Sequence, residues 1–162
     1  MAETLTPDAA PARLLELSSD ARSAVLLDAA GAPAAWTDAD PKEGRALAEL
    51  ARELFETVDR ATRDWDPDPP EQIEVQVPGG AVFASRTPRW TLAVVARRAA
   101  LSSLMLMDLR AVLGELEGGP PIRRSTSADD GGTGAPPADE ASEEAAAGES
   151  PVPELGAQGD ES

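Results

Sequence analysis

The sequence holds neither cysteine nor histidine. Without thiols there are no disulfides, no sulfur-ligated zinc and no cysteine nucleophile, and without imidazole the commonest general acid–base is missing. Long apolar runs are missing as well. The longest, around Leu92–Ala96, falls far short of the roughly 20 residues that a membrane-crossing helix needs. The N-terminus carries no basic segment followed by an apolar one, as an export signal would. Basic residues are few: 14 Lys and Arg stand against 30 Asp and Glu, for a formal net charge of −16. Such a surface repels nucleic-acid phosphates and anionic headgroups, so neither a nucleic-acid partner nor membrane insertion is expected. Long-range attraction favours a basic partner surface instead. These absences predict a cytoplasmic protein, and the abundance of Ala, Arg, Asp and Pro matches GC-rich bacterial genomes.

What is present is unevenly spread. Hydrophobic residues make up 41% of the chain, yet beyond Gly119 the only large aliphatic residues are Ile122, Val152 and Leu155. The charge divides evenly, with twenty acids against twelve bases up to Gly118 and ten against two after it, about −8 on each side. Three parts are expected: a flexible arm over residues 1–9, a folded domain over 10–118 and a disordered acidic tail over 119–162. The tail's Gly, Pro, Ser, Ala, Asp and Glu cannot bury enough apolar surface to offset the entropy of ordering.

Within the domain the periodicity is readable. A short amphipathic helix fits 10–19, with Leu14, Leu15 and Leu17 apolar. Ser23–Asp28 is apolar on successive residues, as in a strand covered on both faces. Gly31 turns the chain into a second strand, which Pro33 confines to a sheet edge. Asp40-Pro41-Lys42-Glu43 is a strong helix start. The helix it opens carries Leu47, Leu50, Ala51, Leu54, Val58, Ala61 and Trp65 as its core stripe. Gly44, Ala48, Phe55 and Thr62 fall on the flank of that stripe, so Phe55 either widens the core or offers contact surface. Gln72–Val77 alternates cleanly, as a strand covered on one face only. Pro78-Gly79-Gly80 and Thr87-Pro88-Arg89 then join it to Ala81–Ser85 and to Trp90–Ala96, the latter apolar enough to be central. A closing helix over 98–116 presents Leu101, Leu104, Met105, Leu109, Val112, Leu113 and Leu116 as its face, and Gly118-Gly119-Pro120 ends it. The fold class is α+β: a single five-stranded antiparallel sheet with helices on both faces, ordered helix, two strands, helix, three strands, helix.

No motif for chemistry survives scrutiny. Asp64-x-Asp66-x-Asp68 opens like a calcium loop, but its sixth and twelfth positions are Pro69 and Val75, where Gly and Glu are required. Gly31 and Gly79-Gly80 serve turns, since neither opens a helix in a phosphate-binding loop. Asp38 and Asp40 form an acid pair with no apolar pocket to tune them, so carboxylate-based hydrolysis is a remote reading. No catalytic, cofactor or metal residue is nominated, and enzyme activity is not expected. A sensor of the profilin, PAS or GAF type, binding a small molecule between sheet and helix, is the alternative. It would require a polar-lined cavity among core residues that are nearly all aliphatic.

The stretch SAVLLDAAGAPAAW (Ser23–Trp36) resembles the opening hairpin of the roadblock/dynein light chain family. A long amphipathic helix follows from Pro41, and IEVQVPGGAVFASRTPRWTLAVVARRAALSSLMLMDLRAVL is similar to the family's three-strand meander and closing helix. The resemblance covers about Leu14–Leu116, departing in a shorter first helix and a longer tail. It implies a roadblock- or profilin-like fold that dimerises with itself or a paralogue. The third strands would pair across a two-fold axis, and the long helices would pack near it. The interface candidates are then Ile73, Val75 and Val77 on the strand, which is free of Pro and one-faced, and Gly44, Ala48 and Phe55 on the helix. Bacterial members are similar to regulators of Ras-like small GTPases, as activating or anchoring partners, and others are scaffold light chains. The resemblance therefore implies a non-catalytic dimeric adaptor whose partner is a small GTPase. It nominates no arginine finger here.

Overall fold

A computed structural model describes residues 4–120; the segment on which the tail expectation rests lies almost wholly outside the described residues. In chain order the elements are α1 (Ala10–Leu17), β1 (Ala21–Asp28), β2 (Pro33–Trp36), α2 (Pro41–Thr62), β3 (Gln72–Val77), β4 (Gly80–Arg86), β5 (Trp90–Ala96) and α3 (Ser102–Leu116). The five strands form one antiparallel sheet in the order β2-β1-β5-β4-β3. This is the architecture that the periodicity predicts.

Local chemistry explains the boundaries. At the β1–β2 turn, Asp28 Oδ1 accepts from the backbone N–H groups of Ala30 and Ala32, both at 2.9 Å, and Gly31 takes φ +79°. Asp40 caps α2, its Oδ1 accepting from Lys42 N at 2.9 Å, with Pro41 at the first helical position. α3 ends in a paired motif: Gly119 N–H donates to Gly114 O and Gly118 N–H to Glu115 O, with Gly118 at φ +92°.

The sheet has an apolar core on each side, because β1 and β5 are buried on both faces. Leu26, Phe83, Leu92 and Val94 meet Leu14 of α1 and Met105, Leu109 and Val112 of α3. Val25, Leu27, Ala84 and Ala93 meet Leu47, Ala48, Ala51 and Phe55 of α2 on the other. Of the arm expected over 1–9, residues 4–9 are described. Pro7–Ala9 winds as a 3-10 turn, and Leu5 packs against the α1–α3 core, so part of this arm is held by apolar contact.

Both long helices are rotated from the expected faces. In α2 the inward face is Gly44, Leu47, Ala48, Ala51 and Phe55, while Leu50 is 41% and Trp65 74% exposed. The physical reason is close approach. A Cβ on Gly44 would stand 2.5 Å from Trp36 Cγ, so only the small-residue side of the helix fits down against β2. In α3, Leu101 and Leu104 are exposed, whereas Asp108 and Glu115 are buried. There α1 packs alongside, and Arg13 Nε donates to Glu115 Oε2 at 3.2 Å, which lets a carboxylate replace a leucine in the covered face.

Candidate functional site

The sheet's two margins differ. β2 is short, opens at Pro33 and forms one edge. β3 forms the other, paired with β4 on one side and with no further strand among the described residues on its outer side. Its full length carries no proline, so its outward N–H and C=O groups can accept a strand.

Along this margin Ile73, Val75 and Val77 alternate toward the α2 side of the sheet. Ile73 is buried, Val75 half-buried and Val77 48% exposed. Glu74 and Gln76 point to the opposite side. There the Glu74 carboxylate accepts from Ser102 Oγ and from Gln76 Nε2, each at 2.7 Å, and these hydrogen bonds hold its pKa below the ordinary carboxylate range. Glu74 thereby stays charged and ties the edge strand to the start of α3.

The margin continues inward as an apolar shelf. Val75 pairs across with Val82, and Val82 with Val95, forming a half-buried row over three strands. α2 packs on β1, β2 and β5. It leaves this row beside its own exposed flank, where Leu50 and Leu54 follow one another at helical spacing. Edge and shelf together make a surface that is apolar on one side and unpaired along its backbone.

The sequence-based interface candidates divide accordingly. Ile73, Val75 and Val77 lie together on the margin. Gly44, Ala48 and Phe55 do not join them, because all three are buried in the protomer's own core. Phe55 widens the core stripe of α2, and Gly44 and Ala48 lie on the same inward face. Phe55 also carries the Arg86 guanidinium 4.3 Å above its ring centre. That guanidinium donates to both Asp59 oxygens and to Pro70 O, which fastens α2 to β4 and to the loop before β3. The residues missed were Leu50, Leu54, Val82 and Val95. The signal was present in Gly44 and Ala48, a small pair one turn apart that marks the side of a helix lying closest to its neighbour.

An open groove of about 960 Å³ lies at the end of the sheet near Gly31, lined by Arg52, Phe55, Asp59, Arg86, Trp90 and Glu117, among others. Its charged groups are largely engaged with one another. Arg52 pairs with Glu56, Arg86 with Asp59, and the Glu117 carboxylate accepts from Thr87 Oγ1. No three metal-ligating side chains converge among the described residues, and in the discounted calcium-like loop Asp66 accepts from Asp68 N–H instead. No helix among these residues is long and apolar enough to cross a membrane.

Residues 12–96 match the family model of the Roadblock/LC7 domain, which is more than half of the chain. The chain belongs to the Roadblock/LC7 family. Solved structures carry the same fold. A Roadblock/LC7 domain from Streptomyces avermitilis aligns over 70% of this chain and 97% of its own, with 22% identity and a TM-score of 0.64. MglB of Myxococcus xanthus aligns over 68% and 91%, with 14% identity and a TM-score of 0.60. The gliding protein MglB of Thermus thermophilus aligns over 66% and 82%, with 16% identity and a TM-score of 0.57. No curated protein matches the chain in sequence.

Proposed function

We propose that this Roadblock/LC7 chain is a non-catalytic adaptor that dimerises through β3, with itself or a paralogue, and in that form binds a Ras-like small GTPase in the bacterial cytoplasm. The observation that carries the reading is the β3 margin, open and bordered on one face by Val75, Val82, Val95, Leu50 and Leu54. Antiparallel addition of a second β3 would satisfy the free backbone groups, and the partner's α2 would cover the shelf. The GTPase half of the proposal rests on the family resemblance. A sustained apolar platform built by two copies suits a partner that changes the shape of its switch segments. The folded domain would hold about 110 residues, with the acidic tail serving as a solubilising segment.

Light scattering coupled to size exclusion tests the dimer. Wild type is expected at twice the chain mass at tens of micromolar, and Val75→Asp, which buries a charge in the proposed interface, at the single mass with unchanged circular dichroism. A strict wild-type monomer would end the β3 proposal. For the partner, a GTP-binding protein encoded beside this chain, loaded with a non-hydrolysable analogue, should be retained by the wild type and not by Val75→Asp.

A further inference from the structure

The large exposed apolar side chains of the described residues fall into two groups. Leu50, Trp65 and Val77 lie on α2, just beyond it and on β3, while Leu101, Leu104 and Met107 lie at the start of α3 on the other face of the sheet. The dimer reading uses Leu50 and Val77 and leaves the second group without a role.

Leu101 is 64%, Leu104 42% and Met107 52% exposed, and they recur every third residue, so they form a strip along the first turns of α3. The strip exists because α1 is short. α1 and α3 run antiparallel, joined where Arg13 meets Glu115. At about 1.5 Å per residue, Leu17 at the end of α1 reaches only about 6 Å further, to roughly the level of Ala111. The layer that covers the second half of α3 stops there. Beyond that level no helix packs beside α3 among the described residues; only the α1–β1 connection, whose Asp20 O accepts from Arg97 N–H at 2.9 Å, lies near its start.

Its electrostatics differ from the rest of the molecule. From Arg97 to Met107 the sequence holds two arginines and no acid, and the next acid, Asp108, is buried. Arg97 and Arg98 are exposed and form no ion pair among the described residues. On a chain of net charge −16, these two exposed arginines flank the apolar strip, while of the carboxylates on neighbouring elements Glu74 is already engaged by Ser102 and Gln76 and Asp20 adjoins Arg97.

We infer that the first half of α3, with Arg97 and Arg98, is a docking surface for an acidic amphipathic helix of a partner protein, laid beside α3 where α1 ends. The Leu and Met side chains supply an adaptable apolar face for such a helix, and the arginines select its carboxylates. An anionic bilayer is disfavoured, since a flat charged surface would also have to approach the exposed Glu74 beside Ser102, whereas a single helix meets only the strip and its arginines. This surface lies across the sheet from the β3 shelf and does not depend on the dimer.

The test uses the full chain carrying methyl-labelled methionine. A synthetic amphipathic helix of about four turns, with Leu on one face and Glu elsewhere, is titrated in. The expected result is a saturable shift of the exposed Met107 methyl, with the buried Met105 methyl moved far less. Arg97→Glu/Arg98→Glu and Leu104→Gln should each weaken binding by about tenfold or more. Val75→Asp should leave binding intact, which separates this surface from the dimer. Four outcomes would overturn the inference: no shift at Met107, equal binding of a peptide with Lys in place of Glu, a Met107 shift with phosphatidylglycerol vesicles and not with peptide, or a drop in assembly mass on Leu104→Gln, which would show a second copy on the strip.

Discussion

Single side chains in this domain matter most where a charge is held against an apolar group. Arg86 lies over Phe55 and donates to Asp59, and these hydrogen bonds hold the Asp59 carboxyl below its ordinary range. A carboxylate with a lowered pKa adds stability that is present above its unfolded value and is lost as the pH falls through its folded value. Asp59→Asn should therefore cost about 1 kcal/mol at neutral pH, a modest figure because the pair is partly exposed. The gap between variant and wild type should narrow as the pH falls below the usual Asp value of about 3.9. Urea midpoints at neutral and strongly acid pH check this, and a gap of constant size would show that the ion pair is not its source. The same pair was illegible in the sequence. Asp59 and Arg86 stand on different elements far apart in the chain, and no spacing rule joins them.

At the level of elements, order and type were legible while the orientation of the helices was not. Hairpin turns, caps and apolar runs fix where strands and helices begin, because those signals are local: Asp28 with Gly31, Asp40 with Pro41, Gly118 after Leu116. Which side of a helix faces the sheet depends on what lies opposite. α2 turns Gly44 and Ala48 inward because Trp36 stands beneath, so a stripe drawn through the largest residues misplaced Leu50 and Trp65. The same contact sets a prediction. Gly44→Ala gains roughly 1 kcal/mol of helix propensity, but its methyl would sit 2.5 Å from Trp36 Cγ and 2.9 Å from Trp36 Cβ, atoms close to the backbone that cannot swing aside. Overpacking of this kind costs about 1–3 kcal/mol, so the net change should be a loss of about 1 kcal/mol. A lowered thermal midpoint and a shifted indole emission would both report it. An unchanged or raised midpoint would mean that α2 slides away from β2 without penalty. The candidate site was half legible for the same reason. Ile73, Val75 and Val77 show as an alternating strand, while the shelf beside them needs the position of α2.

For the whole molecule, charge sets how it meets other proteins. Two copies that each carry −16 repel over a distance of about 10 Å at ordinary ionic strength. Dimerisation through the apolar β3 shelf should therefore tighten as salt is raised from tens to hundreds of millimolar. An acidic helix on Arg97 and Arg98 should bind more weakly over the same range. Sedimentation measurements across a salt series check the first, and weakening of the dimer with salt would place ionic contacts, not apolar ones, at its centre.

The position of β1 bears on how the chain matures on the ribosome. Its inner ladder joins residues 21–28 to residues 90–96, so the first hairpin has one margin unsatisfied while α2, β3 and β4 are still being made. At a common pace of about 5–20 residues per second, that wait lasts several seconds. During it the nascent chain presents Val25, Leu26 and Leu27 to whatever is nearby. A message cut short before Trp90 would yield a product for degradation, whereas one that continues through Ala96 brings the last strand into the gap and completes the sheet.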